Sequence, residues 1–212
     1  SDQPARMGNV SFTWPLGDRT LLETRYGDFA WDQSNGPTPP SSRAGPAPHF
    51  DTFTRVTSVN ALSFSDTQIR TTSLAATVTR YLDRVAGVSH SLKAGIEYER
   101  ARETSTSGFP GGAQYNDNNG TPAVLYLWDG STYRGSQCRT AVFLQDQWRL
   151  VGPLTIEPGV RFGLYRGAVP IDGVTGYKNH SNSPRLGVAW DVNADHHTVL
   201  RAQYARYHDP LV

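Results

Sequence analysis

The run Asn116-Asp117-Asn118-Asn119-Gly120 is the densest cluster of side-chain oxygens in the chain. A carboxylate set among amides is the chemistry of a hard-cation site, but the ordered ligand spacing of a known calcium loop is missing. No metal is therefore assigned. The six histidines are dispersed, and His196-His197 falls in an expected tight turn, away from any nucleophile or ligand set. Cys138 is the only cysteine, which excludes an internal disulfide and a thiolate metal cluster. With no partnered base beside it in sequence, it reads as an ordinary strand residue. No catalytic residue and no cofactor are expected, and the chain does not read as an enzyme.

The remaining chemically active side chains are charges set at every second position. In residues 90–100, Leu92, Ala94, Ile96 and Tyr98 alternate with Ser91, Lys93, Gly95, Glu97 and Glu99. In residues 154–164, Leu154, Ile156, Pro158, Val160, Phe162 and Leu164 alternate with Thr155, Glu157, Gly159, Arg161 and Gly163. Successive side chains of a strand point to opposite faces, so each segment has one apolar and one hydrophilic face. The hydrophilic faces carry Glu23, Arg25, Lys93, Glu97, Glu99, Glu157, Arg161, Arg185, Asp191, Arg201 and Gln203. A soluble sandwich would turn them to solvent, whereas a membrane barrel would turn them to a wet lumen where opposite charges can pair.

Composition narrows the elements that position these residues. The chain has 212 residues, a hydrophobic fraction of 37% and a mean hydropathy of −0.49. No apolar run approaches the roughly 20 residues of a membrane helix. Twenty Gly and fourteen Pro, with many Ser, Thr and Asn, favour turns and strands over helices. The net charge of +1 is spread along the chain, so there is no basic stripe for nucleic acid. Residues 1–20 show no charged start followed by an apolar core. The chain opens and closes beside expected strands, the pattern of a piece of a longer protein.

Eight strands are expected, at about residues 7–14, 20–31, 67–82, 90–101, 137–150, 154–166, 184–191 and 198–207. Long loops are expected at about 32–65, 102–136 and 167–183, with short strands possible at 51–60 and 123–128. The connections run short, long, short, long, short, long, short. An up-and-down meander with short turns at one end and long loops at the other produces this order, as in outer-membrane barrels. The expected strands exceed the usual five or six residues of soluble strands and suit a tilted membrane span. Trp14, Trp31, Tyr81, Tyr98, Trp148, Tyr165, Trp190, Tyr204 and Tyr207 lie near strand ends, where amphipathic rings meet lipid headgroups.

The segment 141–150, AVFLQDQWRL, followed after a turn by LTIEPGVRF at 154–162, resembles a strand pair of TonB-dependent outer-membrane receptors. The segments SPRLGVAWD at 183–191 and TVLRAQYARY at 198–207 resemble the next pair, and HSLKAGIEY at 90–98 is similar to an earlier strand of the family. Three hairpins thus match in order over about 67–207. The resemblance is closest to the branch in which a carboxypeptidase-regulatory-like domain precedes the plug.

That resemblance implies an all-β, antiparallel, up-and-down transmembrane barrel with short periplasmic turns and long extracellular loops. Residues 1–212 would supply about eight strands of a barrel of about 22, without the plug. Pro158 departs from a regular ladder, because it cannot donate a backbone hydrogen bond; it marks either a bulge or a tolerated gap. The family implies import of a scarce solute (a metal chelate, glycan or peptide) across the bacterial outer membrane. Its partners would be outer-membrane lipid, the solute and the inner-membrane TonB system acting through a plug. Within loop 102–136, Tyr115, Asn116, Asp117, Asn118, Trp128 and Tyr133 are the expected solute contacts. Two alternatives stand beside this: a self-contained eight-stranded barrel with a structural or adhesion role, and a secreted β-sandwich binding carbohydrate. An open wall of strands would leave two unpaired edges that lipid cannot satisfy, so the piece is expected to fold poorly alone.

Overall fold

Thirteen strands fall into two sheets in the computed structural model, which describes residues 3–37, 40–85, 87–150, 153–168, 175–193 and 197–208. The expected turns at 151–153 and 192–197 lie partly outside these residues, as do His196 and the middle of the loop expected at 167–183.

The large sheet is a single antiparallel wall. Its strands are β1 (Ala5–Pro15), β2 (Thr20–Asn35), β5 (Phe64–Val85), β6 (Val88–Gly108), β9 (Ser131–Gln145), β10 (Trp148–Arg149), β11 (Leu154–Ala168), β12 (Thr175–Asp191) and β13 (Val199–Ala205). Chain order is spatial order, with β9 and β10 together filling one place between β6 and β11. Among the described residues no ladder joins β1 to β13, so the wall is open at both edges.

The smaller sheet is built from the long connections, in the order β4 (Thr57–Ser58), β3 (His49–Asp51), β7 (Ala113–Asn118) and β8 (Thr121–Leu127). It replaces two of the expected loops with ordered structure. The third loop, expected to run from 167 to 183, is shorter, because β12 already begins at Thr175.

Register fixes the chemistry of the two faces. Apart from the irregular ends Val85↔Val88 and Ala168↔Thr175, every cross-strand pair in the wall joins residues of like parity, as in Val10↔Tyr26↔Leu74↔Tyr98↔Thr140↔Leu164. Even-numbered positions therefore share one face from β1 to β13, and odd-numbered positions share the other. Even positions are apolar through the middle of the wall: Val10, Phe12, Leu74, Ile96, Val142, Leu144, Phe162, Leu186 and Leu200. A one-residue slip in any strand would put charges among them.

Among the described residues nothing covers that apolar face. Phe12 is 55% exposed, Ile96 49% and Leu200 57%, while the buried apolar residues are few: Ala30, Ala141 and Tyr165. Covering a Leu, Ile or Phe with an apolar medium is worth about 1.5–3 kcal/mol per side chain, so such a face cannot be left to water. A β-sandwich would lay a second sheet on it. The single-layer wall overturns that alternative, and lipid is the medium that fits. Among the described residues no helix is long and apolar enough to cross a membrane.

The band has defined edges. At the short-turn end Trp14, Trp148 and Trp190 lie on the even face. At the other limit lie Tyr26 and Tyr98, in one row. Trp31, Tyr81 and Tyr165 also lie near expected strand ends, but register puts them on the odd face, so they do not join this aromatic border. On β6 the band runs from His90 to Tyr98, roughly 26 Å of strand at about 3.3 Å per residue. Tilted by about 40°, that gives a height of about 20 Å, which the bordering aromatic rows extend toward the ~25 Å apolar height of a membrane barrel.

Pro158 shows how the ladder absorbs a missing donor. The register is the same on both sides of it, Gly159↔Gln145 and Trp148↔Ile156, so there is no bulge. The Asp146 N–H donates to the Pro158 carbonyl at 2.9 Å, but no reciprocal donor exists. The interruption between β9 and β10 falls at that point. Asp146 turns its carboxylate to neighbours instead: Trp148 Nε1 donates to its Oδ2 at 2.6 Å, and His90 Nδ1 lies 2.7 Å from the same oxygen.

Candidate functional site: the wet face and the outer sheet

The odd face of the wall is polar because alternation demands it, and its charges are organised. Arg161 on β11 donates two hydrogen bonds to Glu97 on β6, at 3.0 and 2.6 Å. The pair spans the intervening β9 diagonally, from the row of Phe143, opposite Arg161, to that of the buried Ala141, opposite Glu97. Beside it Arg139 donates to Glu99 directly across the ladder at 3.1 Å, and Gln147 donates to Glu157 at 2.6 Å. Glu97 and Glu99 are thus held by arginines, while Lys93 and Arg185 have no hydrogen-bonded carboxylate among the described residues. Lys93, Glu97, Gln145, Arg161 and Arg185 line an open groove of about 210 Å³ against Phe143. Its charge is net positive.

Glycine lets the wall carry rings on this face. A Cβ on Gly95 would lie 2.6 Å from two ring atoms of Phe143 and 2.8 Å from the Ala76 carbonyl, so only glycine fits beneath that ring. Further toward the long-loop end, Tyr133 and Tyr177 lie beside Gly135 and Gly167 in the same way. With Ile69, Glu103 and Gln137 they line a second open groove, of about 300 Å³.

Beyond the wall, the outer sheet joins two long connections through a parallel pairing, Phe50↔Asn116, flanked by His49↔Tyr115 and Asp51↔Asp117. Asp117 is the hub. Its Oδ2 lies 2.8 Å from His49 Nδ1, and its backbone carbonyl accepts from both the N–H and the hydroxyl of Thr52 at 2.9 Å. The His49 ring stacks on Tyr115, with centroids 4.6 Å apart. Asp51 closes the other side: its carboxylate accepts the N–H groups of Phe53, Thr54 and Gly120. Those bonds, the one from Thr54 foremost, hold the Asp51 carboxyl below the usual carboxylate range. Asn119 and Gly120 both have positive φ, the geometry of a two-residue type I′ hairpin between Asn118 and Thr121. Arg43, which lies over the Phe64 ring, ties the first connection to the wall by donating to Asp66 and Ser34.

The six residues singled out from the sequence therefore divide. Asp117 is buried, with one carboxylate oxygen engaged by His49, and Tyr115 is half-buried on the same histidine. Asn116 accepts from Gln114 at 2.8 Å. Asn118 is exposed at the hairpin, and Trp128 packs edge-on against Phe109, with centroids 5.2 Å apart. Tyr133 stands apart from all of these, on the odd face of β9. His49, Asp51 and Tyr177 belong with these groups but carried no sequence signal, since their partners lie far away in the chain. No group of three or more His, Cys, Asp or Glu is placed to hold a metal among the described residues.

A family described as "TonB dependent receptor-like, beta-barrel" matches residues 1–211. Among solved structures, the outer membrane transporter YddB from Escherichia coli aligns with a TM-score of 0.65 at 16% identity, over 97% of this chain and 26% of that one. The ferric citrate transporter FecA, unliganded, aligns with a TM-score of 0.64 at 13% identity, over 95% of this chain and 27% of that one. The ferric-catecholate import receptor Fiu from E. coli K12, in its open form, gives 0.60 at 12% identity, over 98% and 36%. No curated protein sequence matches. The chain thus spans between 26% and 36% of the length of these structures, and the likeness is one of fold.

Proposed function

The chain belongs to the TonB-dependent receptor β-barrel family, and on that premise we propose that it is part of the barrel wall of an importer for a small anionic solute, a metal chelate ahead of a glycan or peptide. Its place is the bacterial outer membrane, where the uncovered even face meets lipid and the odd face meets the lumen. The observation that carries the proposal is the single register across the wall, which gathers the large aliphatic side chains on the even face and nearly all charges on the odd face through the middle of the strands. Asp146, held by Trp148 and His90, is the exception on the even face, and Phe143 is the ring on the odd one.

The preference for an anion comes from the lumenal groove, where Lys93 and Arg185 add positive charge beyond the paired Arg161 and Glu97. Electropositive, water-filled grooves concentrate anions and hold them by charge-assisted hydrogen bonds. FecA and Fiu, which share the fold, are named for ferric citrate and ferric catecholate import. Import would be driven by the inner-membrane TonB system through a plug that fills the barrel. The outer sheet would present Asn118 and Trp128 to incoming solute, with Tyr115, Asn116 and Asp117 holding its shape and Tyr133 lining the passage below. No catalytic role is part of this proposal.

The test is solute binding by the full-length receptor in detergent, titrated with ferric citrate, a ferric catecholate and a neutral oligosaccharide. Tighter binding of the anionic chelates, weakened by Lys93→Gln with Arg185→Gln, supports the proposal. Preference for the neutral glycan overturns the choice of solute.

A further inference from the structure

We infer that Asn119 is a site of spontaneous modification, conversion to aspartate or isoaspartate through a succinimide closed by Gly120, and that Asp51 of the other long connection guards it. The inference concerns the outer sheet and is independent of which solute the receptor takes. The sequence holds two Asn-Gly pairs, Asn35-Gly36 and Asn119-Gly120. Glycine after asparagine leaves no side chain to hinder its backbone nitrogen from reaching the asparagine Cγ. The structure treats the two pairs differently.

Asn35 is the last residue of β2 and pairs with Ser65 on β5. Gly36 is pressed so closely against Phe64 that a Cβ added to it would lie 2.6 Å from the Cβ of that residue. The peptide between them is held at the end of a ladder and has no room to turn onto the asparagine. Asn119 and Gly120 are instead the two exposed central residues of the β7–β8 hairpin, with φ of 51° and 80°. A Cβ on Gly120 would have nothing within 4 Å, so the turn is open to water and free of steric cover.

One contact stands between this turn and the reaction. The Gly120 N–H donates to Asp51 Oδ2 at 2.6 Å. Succinimide closure needs that nitrogen to give up its proton to a solvent base and bond to the Asn119 Cγ. The Cγ–Nδ2 bond breaks, and the side-chain amide takes up a proton and leaves as ammonia. Water then opens the ring at either carbonyl. While the bond to Asp51 holds, the peptide plane is fixed. A full negative charge also faces the nitrogen just where it would turn anionic, which opposes loss of its proton. The Asp51 carboxyl is held below the usual carboxylate range, by the Thr54 N–H foremost and by Gly120 among others, so it is a poor base for taking that proton itself. Either product puts a second negative charge beside Asp51, and isoaspartate also lengthens a turn of only two residues. The clasp between the two connections is then lost on this side, with no reverse step.

The experiment incubates the full-length receptor in detergent at mildly alkaline pH. Peptides 26–43 and 103–134 are followed by mass spectrometry after trypsin, with enzymatic methylation of isoaspartate as a second readout. Fragment ions place the amide-to-carboxylate mass gain on Asn119, on Asn35 or elsewhere. Folded wild type should convert slowly at Asn119 and more slowly still at Asn35. Loss of a hydrogen bond to a charged acceptor in an exposed turn is expected to speed conversion at Asn119 about tenfold in Asp51→Ala. Asp51→Asn, which keeps an acceptor without the charge, should fall between. Wild type in urea, where Asp51 no longer reaches Gly120, should convert at least as fast as Asp51→Ala, so the prediction does not depend on either variant keeping its outer sheet. Equal rates at Asn119 in folded wild type, both variants and urea overturn the guard. Slower conversion in the variants overturns it too, since Asp51 would then be taking the proton. Conversion at Asn35 as fast as at Asn119 in the folded wild type overturns the choice of site.

Discussion

Arg161 reaches over a whole strand to grip Glu97, passing Ala141 on β9 to close a two-point ion pair between β11 and β6. A larger residue at 141 would stand in the way, and the two charges would then face the lumen separately. Both side chains remain partly open to water, Glu97 at 38% and Arg161 at 24%, so screening limits what the pair is worth. Glu97→Gln and Arg161→Gln should each lower the stability of the full-length barrel by about 1 kcal/mol. A double-mutant cycle on urea midpoints should return a coupling of the same size and sign. Additive effects would show that the pair is geometrically neat but energetically idle.

The middle of the wall was legible from its sequence, and its outer parts were not. Leu92, Ala94, Ile96 and Tyr98 alternate with charged neighbours because one side of β6 faces lipid there. Beyond Tyr98 that demand disappears, and Thr104-Ser105-Thr106-Ser107 is polar on both faces yet still strand. The same holds for Tyr177–Ser183 in β12, placed in a loop by its composition. Period-two patterning reports a difference between two environments, so it falls silent where both are water. The outer sheet was hidden for another reason. Its central pairing, His49 with Tyr115 and Asp117, joins residues far apart in the chain, and no local periodicity encodes a parallel contact between two loops.

A prediction follows at that contact. Asp117 is buried and its carboxylate holds the half-buried His49, so Asp117→Ala leaves that ring without its partner and costs about 1 kcal/mol locally. The wall does not depend on it. Limited proteolysis of the full-length receptor should therefore show new cleavage within 49–60 and 113–127, with unchanged heat-modifiable mobility of the barrel. Cleavage as slow as in wild type would mean that the hub does not hold the outer sheet.

Asp51 gives that sheet a defined response to acid. Its carboxyl is depressed in the folded state by N–H donors, first Thr54, then Gly120, Phe53 and Asn119. A depressed folded pKa means that the charged form is the one favoured by folding. Its contribution is complete above the unfolded carboxylate pKa and is lost as pH falls through the lower folded value. Protease resistance of 49–60 should therefore hold from neutral pH into the mildly acidic range and decline only below the usual carboxylate range. Asp51→Asn should flatten that decline. A decline beginning near neutrality would assign the titration to another group.

Gly95 should tolerate no side chain. An added Cβ would meet Phe143 at 2.6 Å and the Ala76 carbonyl at 2.8 Å, so Gly95→Val forces both the ring and the neighbouring strand to move. Overpacking of this kind costs about 1–3 kcal/mol. Phe143→Ala in the same chain removes the ring but not the carbonyl, so rescue should be partial. Complete rescue would show that the backbone gives way more easily than its ladder suggests.

The parity of the wall makes the sharpest prediction, because it assigns every position along a strand to one of two solvents. On β9, Leu144 shares its face with Val142 and Thr140, while Gln145 shares its face with Phe143, Ala141 and Arg139. In a Cys138→Ser background, Leu144→Cys in the full-length receptor should react with a membrane-soluble thiol probe and resist an aqueous charged maleimide. Gln145→Cys, one residue on, should do the reverse. On β6, Ile96→Cys and Glu97→Cys should repeat the contrast, although Glu97→Cys also breaks the Arg161 pair. Two strands agreeing in parity would fix the register between them, since a one-residue slip of either inverts its pattern. Aqueous labelling of both members of each pair would mean that the even face is wet, and the chain would no longer be a membrane wall.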